Sequence, residues 1–262
     1  MQESLEKRFR NIAPPVQFCS LRFVEERDQV LQVRQNVLQP VHNTSDVGVM
    51  ITVVHDGGIG YAATSDLSES GLARAAGEAR DWAQKTAGSG VVDFSSVPMP
   101  RSSGQYRSPV QISWDSMSLE DKIELLRRES ARLKTDERIV DWEASLWYTE
   151  TDSVYLTADG GRVEQRLRQI VPSLAATANE GAETQTRSLG GRGFCRQGGL
   201  EVLSQVGFHD AAPRLAEEAL QLLSAPNCPT GKMDLLLDPD QMILQIHESI
   251  GHPLELDRIL GD

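Results

Sequence analysis

The sequence predicts an α+β fold, with antiparallel sheets and packed helices in two N-terminal subdomains. Three observations lead there. Residues 17–39 alternate apolar and polar side chains at the two-residue period of a half-buried strand. Two Asp-Gly-Gly turns, Asp56-Gly57-Gly58 and Asp159-Gly160-Gly161, mark places where the chain reverses between neighbouring strands. Ser68 and Ser118 stand as N-caps in front of two helical stretches.

Taken in order, residues 17–39 read as an antiparallel pair: Phe18, Ser20, Arg22 and Val24 alternate in the first strand, and Val30, Gln32 and Arg34 in the second. Glu25-Glu26-Arg27-Asp28 is then the turn between them. Residues 47–54 form a further apolar strand. The run from His55 to Gly60 turns it back into Tyr61-Ala62-Ala63-Thr64, the glycines suiting the positive φ angles of such turns. Ser68 caps an Ala-rich helix over 69–87 that stops at Gly88, and the Pro/Ser-rich residues 95–104 read as a linker. Ser118 caps a charged helix over 119–134, with Glu120 in its first turn. Residues 139–149, 154–158 and 162–170 form a second meander, the Gly190-Gly191-Arg192-Gly193 run is a sheet loop, and 211–224 is an amphipathic helix. The glycine-rich run lacks the Lys-Ser/Thr of a phosphate loop. After the break at residues 226–231, Leu235-Leu236-Leu237 is expected as a short buried strand, Asp238-Pro239 as a helix start and 241–251 as a helix. The chain therefore divides at 1–100, 101–228 and 229–262. The last segment is too short to bury a core of its own, so it is expected to be completed by further chain or by another polypeptide.

Composition removes several function classes. The 26 Lys and Arg against 38 Asp and Glu give a formal charge of −12, which repels a phosphate backbone. The densest basic stretch, Arg127 to Lys134, alternates with Glu124, Glu129 and Asp136 and reads as a solvated helix face, so no nucleic-acid partner is expected. Cys19, Cys195 and Cys228 form no CxxC pair and no disulfide framework. No signal peptide opens the chain and no apolar run reaches the roughly 18–20 residues of a membrane span. A soluble cytoplasmic protein without a membrane partner is expected.

The segment that carries chemistry is Ile246-His247-Glu248-Ser249-Ile250-Gly251-His252-Pro253. Neutral imidazoles are preferred nitrogen ligands of zinc, and a catalytic zinc takes three protein ligands and keeps one position open. His247 and His252 are the candidate ligands. Glu248 is the candidate general base toward a zinc-bound water acting as nucleophile. In HExxH the two histidines stand four apart, about 40° around a helix; five apart they diverge by about 140°. Gly251 tolerates non-helical angles and Pro253 disfavours helical geometry at His252, so the helix is expected to open or bulge there and swing His252 toward His247. The blander alternative makes His247 a core histidine, Glu248 a surface charge and His252 a helix-end cation. His55 reads as a turn residue, His42 and His209 carry no assignment, and Trp142, Trp147 and Tyr148 read as core rather than a peptide platform. Strand edges near Gly191 and Phe194 are open to peptide by strand addition.

His-Glu-x-x-x-His after Pro229-Thr230-Gly231, a short strand and Asp238-Pro239 resembles the TldD branch of the TldD/PmbA metallopeptidases. The hairpin and helix start from Asp56 to Ser68 and the turn Ala158-Asp159-Gly160-Gly161 resemble the family's first and middle domains. The partner branch, PmbA/TldE, lacks the HExxxH motif. The resemblance implies a two-layer α+β front half, followed from residue 229 by the start of a β-rich catalytic metallopeptidase domain that carries the motif helix. It implies a Zn2+ cofactor on His247 and His252, Glu248 as base, and a homodimer or a heterodimer with a TldE/PmbA-like subunit. It also implies hydrolysis of unfolded or unstructured peptides. The third ligand it implies is a cysteine far into the C-terminal half, which no residue here matches. Cys19, Cys195 and Cys228 precede the motif, leaving Asp257 and Asp262 as nearby carboxylates. Two alternatives stand beside peptide hydrolysis: a non-catalytic binding or assembly subunit with a vestigial metal site, and a metal-dependent hydrolase of a non-peptide amide.

Overall fold

Three very long strands set the architecture. The computed structural model describes residues 2–90 and 92–260. Strand β1 (Phe18–Arg34) runs unbroken through the segment expected to be a turn. Strands β6 (Ile139–Thr157) and β7 (Arg162–Glu180) likewise run without the interruptions anticipated from sequence. Most of the charged residues that suggested breaks find partners across the sheet instead: Glu26 and Asp28 accept bonds from Thr151 and Thr149, at 3.1 and 2.6 Å. Arg27 of β1 faces Glu150 of β6, which in turn faces Arg168 of β7. Arg168 also bonds Asp152 at 2.8 Å. Opposite charges on directly facing positions support a ladder, so polar composition here marks a charged waist rather than a reversal.

The true reversals sit where backbone geometry demands them. Gln35 and Asn36 both have positive φ and join β1 to the two-residue strand β2 (Val37–Leu38) as a tight hairpin. Asp56 and Gly57 do the same between β3 (His42–His55) and β4 (Gly58–Thr64). Strand β5 (Ser103–Arg107), at the end of the stretch read as a linker, pairs parallel with β7. Strands β8 (Glu183–Gly190) and β9 (Arg196–Gln197) lie antiparallel on β7. The result is one nine-stranded sheet, ordered β4-β3-β1-β6-β7-β5 with β2, β8 and β9 branching from it. The architecture is α+β and, β5 apart, antiparallel.

One sheet face carries two cores. Leu21 and Phe23 of β1 enter one apolar cluster and Leu31 and Val33 the other, all at odd positions and hence on the same side. Over the first cluster lie α1 (Gln2–Ile12), whose Leu5 and Phe9 are buried, and α2 (Glu69–Thr86). The contact of α2 with β4 is close enough that a Cβ on Gly60 would fall 2.2 Å from the Ala79 carbonyl. This is why the buried face of α2 is built of Ala75, Ala76, Ala79 and Ala83. Over the second cluster lie α3 (Leu119–Leu133), α4 (Glu201–Gln205) and α5 (Phe208–Leu222). Pro213 inside α5 leaves the His209 carbonyl without its helical donor, and Arg132 of α3 supplies one.

After α5 the chain has no regular structure until α6 (Pro239–Ile246). The buried strand expected at Leu235-Leu236-Leu237 does not form: Leu235 is 77% and Leu236 93% exposed, and neither pairs with the sheet. Apolarity alone does not make a strand: among the described residues these leucines pair with no other strand. A helical run through α6 to α7 (Leu256–Leu260) closes the described chain. Among the described residues no helix is long and apolar enough to cross a membrane.

Candidate metal centre

Asp238, in extended conformation, begins this helical run, and its carbonyl accepts the Gln241 and Met242 amides at 2.9 and 3.0 Å. Pro239 stands at the first helical position, where a missing N–H costs nothing. The helix is regular to Ile246 and then widens into a π turn, His247–Gly251, whose closing bond runs from the His252 N–H to the His247 carbonyl. A 3₁₀ turn, His252–Leu254, follows.

The widened turn brings the two imidazoles together, edge to face, with ring centroids 4.3 Å apart. Ligand atoms of His247, Glu248 and His252 all lie within 4.8 Å of one another. Glu248 Oε2 is 3.9 Å from His252 Nε2. The bulge arises at the expected place, but not through the expected backbone: Gly251 (φ −60°, ψ −61°) and His252 (φ −61°, ψ −41°) both remain in the right-handed helical region. The change is one of hydrogen-bond register.

His252 has a further partner that the sequence reading did not single out. Its Nδ1 lies 2.8 Å from Glu255 Oε1, and Arg258 Nε donates to Glu255 Oε2 at 2.9 Å. The bond to His252 is the main reason the Glu255 carboxyl sits below the usual glutamate range; desolvation opposes it, and the charge of His252 and the bond and charge of Arg258 add to it. The signal was present in the three-residue spacing from His252, which places Glu255 over the ring in a 3₁₀ turn.

The donor set fits a zinc ion. The two imidazoles are ligands of a type zinc takes, and ligand atoms within 4.8 Å of one another suit bonds of about 2.0–2.2 Å with modest side-chain rotation, with the Glu248 carboxylate beside them. Of the other candidates, Asp257 is not in this group. Asp262 lies outside the described residues. Cys19 is buried in the first core, where desolvation pushes its thiol up to about 12, a poor ligand that is in no metal-binding group among the described residues. Cys195 accepts a weak bond from Gln169, and Cys228 is exposed beside Pro229, both apart from the histidines. His55 pairs with Asp56 in the hairpin turn at 3.5 Å. Tyr148 is buried and stacks on Trp114 at 4.6 Å, Trp142 packs on the same core, and Trp147 lies at the surface bonded to Asp28. The β7 edge near Gly191 and Phe194 is occupied: Gly191 bonds Pro172, and β9 pairs with Gln169 and Ile170.

Comparisons with known proteins bear on the chain as a whole. Residues 19–83 match the domain described as PmbA/TldA metallopeptidase domain 1, and residues 112–224 match the PmbA/TldA metallopeptidase central domain. A protein named metalloprotease from Methanothermobacter thermautotrophicus is 28% identical over 260 residues, covering 96% of this chain and 54% of its own. Another from Methanocaldococcus jannaschii is 21% identical over 243 residues, covering 93% and 52%. The chain thus spans about half the length of the curated relatives it matches. A Thermotoga maritima crystal structure, described as a candidate modulator of a DNA gyrase, superposes with a TM-score of 0.69 at 19% identity, covering 88% of this chain and 50% of that one. TldE from Thermococcus kodakarensis superposes with a TM-score of 0.57 at 15% identity, covering 84% and 47%. These two likenesses concern the fold. Two consecutive domain matches over the body of the chain, with metalloproteases among its relatives, place it plainly: the chain belongs to the TldD/PmbA family.

Proposed function

We propose that this chain supplies the metal-binding and proton-transferring groups of a zinc peptidase of the TldD branch, acting on unfolded or unstructured peptides. The observation that carries the reading is the π turn that converges His247 and His252 beside Glu248. His247 and His252 would hold the ion, with a third ligand coming from elsewhere in the whole protein. Zinc there would polarise a peptide carbonyl and acidify a water at its open position. Glu248 does the proton work: its carboxylate takes a proton from the attacking water and returns it to the departing amine. Its place next to His247 in sequence and 3.9 Å from His252 Nε2 lets it face the same point without being needed as a ligand. In this reading the chain divides at 1–100, 101–228 and 229–262 and works as a homodimer or with a TldE/PmbA-like subunit. Family membership supports that assembly.

The test is elemental analysis and peptide hydrolysis on the whole natural protein. About one zinc per chain is expected, lost in His247→Ala and kept in Glu248→Ala. Hydrolysis of an unstructured peptide should fall about 10²–10⁴-fold in the Glu248 variant. A wild-type protein without zinc would overturn the metal assignment, and undiminished turnover in Glu248→Ala would remove the base and leave a binding subunit as the better description.

A further inference from the structure

Glu255 has no part in the chemistry assigned above, yet it makes the tightest side-chain contact of either histidine. Its Oε1 lies 2.8 Å from His252 Nδ1. An ionised carboxylate only accepts hydrogen bonds, so in the neutral ring the proton must sit on Nδ1. The lone pair is then on Nε2, the nitrogen that faces Glu248 at 3.9 Å. Glu255 is itself held in place. Its amide donates to the His252 carbonyl at 3.2 Å, closing the 3₁₀ turn, and Arg258 fixes its second oxygen at 2.9 Å. In a 3₁₀ turn side chains three apart eclipse, so the carboxylate is aimed at the ring by the backbone. Stability does not account for the arrangement, because the His252 and Glu255 side chains are 32% and 43% exposed and such surface pairs contribute little. No ring nitrogen of His247 has a comparable bond among the described residues.

We infer that Glu255 is a positioning residue that fixes the His252 imidazole as its Nδ1–H tautomer and presents Nε2 to the metal centre. The consequence for metal affinity rests on the zinc reading above; the tautomer does not. Carboxylates that orient ligating histidines in this way change metal affinity about 10- to 100-fold when removed.

Two measurements on the whole natural protein separate these levels. Long-range ¹H–¹⁵N spectra of ¹⁵N-histidine-labelled, metal-free protein, taken well above the ordinary histidine pKa of about 6.5, report which nitrogen of His252 carries the proton. Wild type is expected as the Nδ1–H form, and Glu255→Ala should shift toward Nε2–H. Zinc affinity, measured by competition with a chromogenic chelator, should fall about 10- to 100-fold in Glu255→Ala. It should fall less in Glu255→Gln, whose amide oxygen still accepts the bond. An unchanged tautomer in Glu255→Ala overturns the inference. A shifted tautomer with unchanged zinc affinity overturns its link to the metal. If wild type binds no zinc, the zinc reading fails while the tautomer still decides the role of Glu255.

Discussion

Glu201, the first residue of α4, is only 8% exposed, and its carboxylate accepts three backbone N–H groups. Oε1 receives Gly199 at 2.9 Å and Gln111 at 3.1 Å, and Oε2 receives Ile112 at 2.8 Å. One side chain thereby ties the loop that leads into α3 to the turn that starts α4. The two backbones run close together here: the Leu200 amide donates to the Ile112 carbonyl at 2.8 Å, and a Cβ on Gly199 would fall 1.9 Å from that carbonyl. Glu201→Ala strands the buried Gly199 amide and half-strands the other two. At roughly 1–3 kcal/mol per buried unpaired group, with relief by water at the two partly exposed ones, the loss comes to about 3–5 kcal/mol. At about 2–4 °C per kcal/mol for a chain of this size, the midpoint should drop by roughly 10 °C. Glu201→Gln keeps the Oε1 bonds but turns an NH₂ toward the Ile112 amide, so about 1–3 kcal/mol is expected. The pH dependence has a definite sign. Burial disfavours the Glu201 carboxylate, yet the amides of Gly199, Gln111 and Ile112, with its own amide, outweigh burial and hold its pKa below the ordinary range. Its contribution is therefore complete above the unfolded value of about 4.3 and is lost as pH falls through the folded value. The gap between wild type and Glu201→Gln should narrow in acid. Urea unfolding followed by circular dichroism, between about pH 3 and pH 7, measures the two free-energy losses and their pH dependence, and a thermal melt measures the midpoint. A Glu201→Ala protein within about 0.5 kcal/mol of wild type at neutral pH would refute the reasoning.

Gly60→Ala should cost about 1–3 kcal/mol in urea unfolding by pushing α2 off β4, since its Cβ would meet the Ala79 carbonyl at 2.2 Å and the Ala83 amide at 2.4 Å. Gly77→Ala on the same helix has nothing within 4 Å of the added Cβ and should be stabilising by about 0.5–1 kcal/mol, which makes it the control. Pro253→Ala should let the helix after Ile246 continue in α register, part the histidines and weaken zinc binding in the chelator competition. Equal affinity in that variant would show that something other than the proline holds the π turn.

What the sequence made legible was chemistry acting over a few residues. Ser68 and Ser118 are the caps expected, accepting the Gly71 and Asp121 amides at 3.1 and 3.0 Å. The Asp56-Gly57 hairpin forms where its positive φ angles are cheapest. What misled were residues whose partners lie far along the chain. Glu26 to Asp28 look like part of a turn in isolation and become strand with Thr151, Glu150 and Thr149 facing them across more than a hundred residues. Helix α1 shows in the sequence only through Leu5, Phe9 and Ile12 at helical spacing, and it is the sheet beneath that gives this stripe a core to cover. Leu235 to Leu237 failed for the opposite reason, their apolarity being read without asking which strand edge could receive them.

The metal centre falls between these cases. The residue types were evident, the need for a distortion followed from the five-residue spacing, and only its mechanism differed. Gly251 is not bent out of helical space, and a Cβ there would meet nothing closer than the Ile246 carbonyl at 3.8 Å. The determinant is better sought in Pro253. In an α-helix its ring would press on the Ser249 carbonyl and leave that carbonyl without a donor, so the α register is penalised at this point and the wider turn costs correspondingly less. The strain then resolves on the far side as the 3₁₀ turn His252–Leu254. One proline thus favours both the turn that brings His252 to His247 and the turn that sets Glu255 against Nδ1. Two features that look separate in the sequence, the convergence of the two imidazoles and the Glu255 bond to one of them, are consequences of the same local break in register.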